Sequence, residues 1–221
     1  MNKVGISILL LILCCCGEKP VSDTSKVLFH VESSQSQVQL GELDTLNLDL
    51  QNSKLYWKGT KMRGAGSHEG EVHISQGFML KDKIGLVGGK FEVDMRTISI
   101  SDIPKTDPIP IKNLTEHLMQ EDFFDVDNFP NSYFEITEIK THSIENLEVS
   151  GNLTIRGITK NITFPAVQKG DFIVAQFLLD RFEWNIAYEG SWTDRTLVDR
   201  DIQFRIELML VNGNSSEVDI R

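Results

Sequence analysis

From about residue 47 onward, apolar and polar residues alternate with a period of two. Leu55, Trp57 and Gly59 alternate with Lys54, Tyr56 and Lys58, and Phe91, Val93 and Met95 alternate with Glu92, Asp94 and Arg96. Ile202, Phe204, Ile206, Leu208 and Leu210 alternate with Gln203, Arg205 and Glu207. Successive side chains of a strand point to opposite faces, so these runs describe strands with one face buried and the other wet. Further strand runs are predicted at Glu71–Ser75, Tyr133–Lys140, Leu147–Gly157, Lys160–Gln168, Phe172–Leu179 and Phe182–Ala187, with glycine turns at Gly88-Gly89 and Lys169-Gly170-Asp171. Many short strands between turn signals predict an all-β chain, a barrel or a sandwich. One stretch has helical spacing: Lys112–Gln120 places Leu114 and Leu118 four apart, which suits a short helix capping a barrel end. The segment before it, Asp102–Pro110, holds three prolines and is expected to be a loop.

The start of the chain is different in kind. Met1-Asn2-Lys3 is followed by the apolar run Val4–Leu13 and then by Cys14, Cys15 and Cys16. Ten apolar residues are too few to span a bilayer as a helix. The pattern resembles a bacterial lipoprotein signal, in which the cysteine after the cut carries the lipid. With Leu13 three positions earlier and small residues between, Cys16 is the expected lipidation site and Cys15 the second choice. The expected division is residues 1–15 as signal peptide, 16–46 as lipidated cysteine and polar tether, 47–211 as the barrel domain and 212–221 as a polar tail. Within the tether, Val27–Val31 is apolar enough to form a strand against the domain. All three cysteines lie in the leader, so a mature chain beginning at Cys16 has no pair left for a disulfide framework. The expected location is the bacterial cell envelope, lipid-anchored and facing the periplasm.

Composition narrows the chemistry. A chain of 221 residues with 40% hydrophobic content can bury the core of one domain. Its formal net charge of -10, with no cluster of Lys and Arg, argues against binding nucleic acid or anionic headgroups. The five histidines, His30, His68, His73, His117 and His142, have no zinc-ligand spacing, and no metal is expected. The acidic pairs Glu121/Asp122 and Asp125/Asp127 have no nucleophile or polarising group beside them, and there is no Gly-x-Ser-x-Gly elbow. No enzyme activity is expected. Four Asn-x-Ser/Thr matches, beginning at Asn113, Asn152, Asn161 and Asn214, are read as chance.

One ordered set of residues carries a resemblance. It comprises His117-Leu118, Glu121–Asp125, Phe129-Pro130 and Phe134–Thr137, then Gly151–Lys160 and Ile162–Ala166. Upstream it includes Ser53, Leu55, Trp57 and Gly59, then His68, Gly70, Val72, Ile74 and Gly77, then Gly88-Gly89, Phe91 and Val93-Asp94-Met95. Together these residues resemble the YceI-like family. The resemblance implies an all-β fold, an antiparallel lipocalin-like β-barrel of about eight strands whose interior holds a long apolar lipid, a polyisoprenoid or an isoprenoid quinone, and so a membrane-anchored binding protein with no covalent cofactor beyond its N-terminal lipid.

Large apolar residues expected to point inward are the candidate ligand contacts: Trp57, Phe91, Met95, Phe134, Ile136, Leu153, Ile155, Phe164, Phe177, Leu179, Trp184, Phe204 and Ile206. An inward row of this kind either lines a cavity or fills the lumen, and periodicity does not choose between them. The resemblance favours the cavity. Gly59 and Ala175 share the inward phase. His68, His117 and Arg181 match family positions and are candidate polar contacts, with Arg181 more suited to holding strands together. The competing reading is an envelope structural or stress-related protein whose barrel is filled by its own side chains; an enzyme acting on a lipid ranks third.

Overall fold

The computed structural model describes residues 28–29, 43–186 and 198–212. The expected signal, Cys16, most of the tether and residues 213–221 of the expected tail lie outside this set. Within it the strands are β1 (Leu28–Phe29), β2 (Asp44–Leu48), β3 (Lys54–Lys61), β4 (Gly66–Lys81), β5 (Leu86–Ile100), β6 (Asn131–Thr141), β7 (Asn146–Ile155), β8 (Ile158–Lys169), β9 (Phe172–Asp180) and β10 (Val198–Asn212). A helix, α1 (Pro108–Met119), lies between β5 and β6, and a 3-10 turn spans Arg181–Trp184.

Strands β3 to β10 form a closed antiparallel barrel of eight strands, each paired with its sequence neighbour, with β10 returning to pair with β3. Closure leaves no open sheet edge, while alternation sends one row of side chains inward. Strand β2 extends the β3 position downward: it pairs with β4 and β10 beyond the point where β3 ends. Between β2 and β3 the chain turns out through Asp49–Asn52, and the buried Ser53 hydroxyl accepts the Met209 N–H at 3.0 Å. The Asp49 carboxylate caps this excursion by accepting from Gln51 and Asn52 N–H groups. Strand β2 begins at Asp44. Inside the apolar run Val27–Val31, Leu28 and Phe29 pair with Thr163 and Ile162 of β8.

The barrel has two different ends. At one, tight connections join β4 to β5, β6 to β7 and β8 to β9, the last through Gly170 with φ of 61°. At the other, α1 and the 3-10 turn lie across the opening. Pro108 and Pro110 sit in the first turn of α1, contrary to the loop expected there. First-turn N–H groups have no intrahelical partner, so a proline costs nothing at these positions. Two further expectations are corrected. Of the strand expected at Phe182–Ala187, the described residues 182–186 do not form one: Asp180 accepts the Phe182 N–H, and Asn185 turns left-handed at φ 52°, which closes a 3-10 turn. Gly88-Gly89 is not a turn: both residues lie inside β5, where a Cβ on Gly89 would stand 2.7 Å from the Phe78 carbonyl oxygen of β4.

The cap is fastened by two arginines. In the two-residue β7–β8 connection, Arg156 and Gly157 both have positive φ, 50° and 70°. From there the Arg156 guanidinium donates to the carbonyl oxygens of Phe123 and Glu121 at 2.8 Å each and of Asn185 at 2.5 Å. This ties the segment after α1 to the 3-10 turn. Arg181, fully buried, donates to the carbonyl oxygens of Ile186, Val198 and Asp199 and lies 4.2 Å from the Phe182 ring centre.

Candidate functional site

The inward rows do not fill the barrel. They enclose an apolar cavity of about 240 Å3 that reaches from the closed end to α1. An apolar cavity of ~150 Å3 is already large enough to take up a small aromatic molecule, so a volume of about 240 Å3 is enough for a small apolar group. Its floor is made by Met79, Leu147, Ile173 and Leu208. Its roof is made by Leu114, His117 and Leu118 of α1 with Phe123 and Phe124 of the following turn.

An aromatic band crosses the wall. Phe134 on β6, Phe164 on β8, Phe177 on β9 and Phe204 on β10 follow one another with ring centres 5.6, 4.4 and 5.8 Å apart. Small residues keep the space open. Ala166 and Ala175 face each other across β8 and β9, both on the cavity wall. At Gly59, also on the wall, no described atom lies within 4 Å of the place a Cβ would occupy. Other inward glycines serve the opposite purpose, since large rings lie over them. Phe134 Cζ would be 2.4 Å from a Cβ on Gly151, and Phe91 Cδ1 would be 2.6 Å from one on Gly77.

Of the candidate contacts, Trp57, Phe91, Met95, Phe134, Ile136, Leu153, Ile155, Phe164, Phe177, Phe204 and Ile206 line the cavity. Leu179 and Trp184 do not. Both are fully buried, but Leu179 lies at the end of β9 and Trp184 in the 3-10 turn, where its indole N–H donates to the Leu153 carbonyl at 3.2 Å. Trp184 was expected on a strand, and the turn takes it out of the inward row. Arg181 is likewise off the cavity and holds backbone carbonyls together. Burial pushes its pKa down, while Asp180 and Asp199 oppose that shift. Val72, Ile74, Ile98, Ser132 and Leu208 also line the cavity and were not among the candidate contacts. Ser132 stands two residues before Phe134, so the same alternation could have found it.

Polar groups gather at the helix end. His68 and His117 line the cavity with Thr60, Lys61 and Ser67. The His68 imidazole is held through Nδ1, 2.9 Å from Asp102 Oδ2, while Asp102 Oδ1 accepts the Glu69 N–H at 3.0 Å. Burial works to raise the Asp102 pKa, but the bonds from Glu69 and His68 outweigh it and hold the carboxyl below its ordinary value. Asp199 is also held low, first by the Thr60 hydroxyl and then, against some burial, by the N–H groups of Arg63 and Gly64. The His117 ring lies 5.7 Å from the Phe123 ring. Among the described residues no group of three His, Cys, Asp or Glu side chains is placed to hold a metal ion, and no helix is long and apolar enough to cross a membrane.

A closed antiparallel barrel around an apolar cavity, with a short helix across one end, is an architecture consistent with a binding protein. The model of the YceI-like domain matches residues 46–210, and the chain belongs to that family. It is similar to a UPF0312 protein of Pseudomonas putida, 32% identical over 83 residues, which is 37% of this chain and 39% of that protein. A UPF0312 protein of an Enterobacter strain is 40% identical over 58 residues, 25% of this chain and 30% of that one. These matches span well under half the length of the curated relatives. Among solved structures, Burkholderia cenocepacia BcnA superposes with a TM-score of 0.56 at 20% identity, covering 73% of this chain and 98% of that one, a likeness of fold.

Proposed function

We propose that this protein is a membrane-anchored carrier that holds one long apolar lipid, a polyisoprenoid or an isoprenoid quinone, in the barrel. The observation that carries the reading is the 240 Å3 cavity with apolar walls, kept open by Gly59, Ala166 and Ala175. An apolar chain gains about 25 cal/mol for each Å2 removed from water, so such walls bind without chemistry. No reaction is required of it, and the polar groups at the cavity's end serve to orient the ligand. The anchor rests on the Leu13-Cys14-Cys15-Cys16 ending of the leader, which would place the barrel at the surface of an envelope membrane.

The test is mass spectrometry of the organic extract of the purified full-length protein. A single lipid class near one molecule per chain is the expected result. An extract free of lipid, from protein that also takes up no added polyisoprenoid, overturns the reading in favour of a structural barrel.

A further inference from the structure

Resting on the anchored reading above, we infer that the hairpin end of the barrel is a bilayer-docking face. Ile84 and Ile144, at the tips of two neighbouring hairpins, seat in the interface of the membrane that holds the anchor. Single exposed apolar side chains are ordinary on a protein surface. These two, however, are the most exposed large hydrophobic residues among those described, at 96% and 97%, and both stand at one end of the barrel. Ile84 lies in the β4–β5 connection and Ile144 in the β6–β7 connection, and β5 pairs with β6, so the two hairpins are adjacent around the rim. Val167 and Val211, also exposed, lie toward the ends of β8 and β10 at the same rim.

Each turn bonds much of its own backbone. The Asp82 carboxylate accepts the N–H groups of Ile84 and Gly85 at 2.7 and 2.9 Å, and the Asp82 N–H donates to the Gly85 carbonyl at 3.0 Å. In the other turn the Asn146 carbonyl accepts the N–H groups of His142 and Ser143 at 2.9 and 3.3 Å, and Ser143 Oγ accepts the Asn146 N–H at 3.2 Å. Backbone groups already paired can approach hydrocarbon without the cost of losing their water. What each tip then offers is an isoleucine side chain, whose burial favours partitioning by about tenfold or more.

The N-terminal part of the chain joins the barrel from the same end. Strand β8 runs from its connection to β7 under the cap down to Lys169, and β1 is antiparallel to it, so Leu28 stands nearer the hairpin end than Phe29. Strand β2 begins at Asp44, the register partner of Lys81, beside the Ile84 turn. A lipid at Cys16, N-terminal to β1, would therefore draw on the barrel from this end. The helix end is the competing face, and its charge weighs against it. Ile109 is 70% exposed there, but Ser101–Pro130, which holds α1 and its flanks, has seven carboxylates against two lysines. An acidic face is repelled by a bilayer that carries anionic lipid. At the hairpin end charges are matched, since Lys140 pairs with Glu138 and Glu148, and Lys169 with Glu145. Docking there is apolar and indifferent to salt, and it leaves α1 facing away from the bilayer.

The experiment places a fluorescent label at Ile84→Cys, Ile144→Cys or Ile109→Cys, one at a time, in the full-length protein held on phosphatidylcholine vesicles that contain a nitroxide-labelled lipid. Unsubstituted protein treated in parallel gives the background from the leader cysteines. Labels at Ile84 and Ile144 should be quenched by about half or more and the label at Ile109 left unquenched. The pattern should hold from about 0.1 to 1 M salt. A label at Lys83→Cys should show the same quenching and lose it when Ile84→Asp and Ile144→Asp are added. Labels at Ile84 and Ile144 that stay in water, on protein the vesicles retain, overturn the docking face and leave the anchor intact. Quenching at Ile109 in their place overturns it in favour of the helix end. Quenching abolished by salt, or kept in the double Asp variant, overturns docking through the isoleucines. Full-length protein that the vesicles do not retain overturns anchor and docking face together.

Discussion

Phe164 and Phe177 stack 4.4 Å apart and within 20° of parallel at the point where β8 and β9 separate. The backbone ladder between these strands has four rungs and ends at Ala166 and Ala175. The next inward pair along the same register would be Phe164 and Phe177, so the rings continue the contact between the two strands beyond the last rung, where β8 takes β1 as its backbone partner at Ile162 and Thr163. Nine rungs join β9 to β10, which makes the β8–β9 seam the weak side of the barrel.

Phe177→Ala should therefore cost more than an ordinary wall truncation. Loss of a buried phenyl costs about 3–5 kcal/mol, and here the seam also loses that contact. The check is urea unfolding, with amide exchange at Ile162 to Phe164 as a local readout. A loss below about 1 kcal/mol, far under the usual range, would show that the stack does not hold the seam.

Gly70 and Gly59 make a paired prediction on neighbouring inward positions. A Cβ on Gly70 would stand 1.7 Å from the Ser99 carbonyl oxygen, a backbone atom that cannot step aside without breaking the β4–β5 bulge. A Cβ on Gly59 has no described atom within 4 Å. Gly70→Ala should give an unfolded or severely destabilised protein, while Gly59→Ala should fall within about 0.5 kcal/mol of wild type or slightly above it. Thermal melts of the two variants decide the matter, and equal stability of both would contradict the packing described for the β3–β4 wall.

Acid stability follows from Asp102 and Asp199. Both carboxyls titrate below their ordinary value in the folded protein. A depressed carboxyl binds its proton less readily when folded, so its stabilising contribution is complete above the unfolded value of about 4 and is lost as pH falls through the folded value below that. Melting temperature should be flat in these groups above about pH 5 and decline below pH 4. Asp102→Asn and Asp199→Asn should each lower the plateau and flatten the decline. An unchanged acid slope in both variants would remove these two groups from the acid transition.

Much of the barrel was legible because its cause is local. Alternation at Leu55–Gly59, Phe91–Met95 and Ile202–Leu210 encodes the pleat directly, and eleven of the large inward residues reach the cavity wall for that reason. Departures occur where a side chain some residues away decides the backbone. Asp180 and Asn185 make Arg181–Trp184 a turn where a strand was expected and carry Trp184 off the wall. Pro108 and Pro110 read as loop residues unless the helix start is known to fall on them. Gly88 and Gly89 read as a turn, but their constraint is the close approach of β4, which has no signature in their own neighbourhood. The helix-end polar groups show the same limit. His68 could be placed inward by phase, whereas its partner Asp102 lies 34 residues along the chain.

The most direct test of the open barrel is Gly59→Phe in the full-length protein, read by bound lipid per chain and by the melting temperature of the delipidated form. Gly59 lines the cavity and no described atom lies within 4 Å of the place its Cβ would occupy, so a phenyl group there is expected to take up cavity space. The expected result is loss of bound lipid with the delipidated melting temperature close to that of wild type. Overpacking a filled core typically costs ~1–3 kcal/mol, so a melting temperature lowered by several degrees, in a protein whose wild type carries no lipid, would show a barrel closed by its own side chains and contradict the carrier.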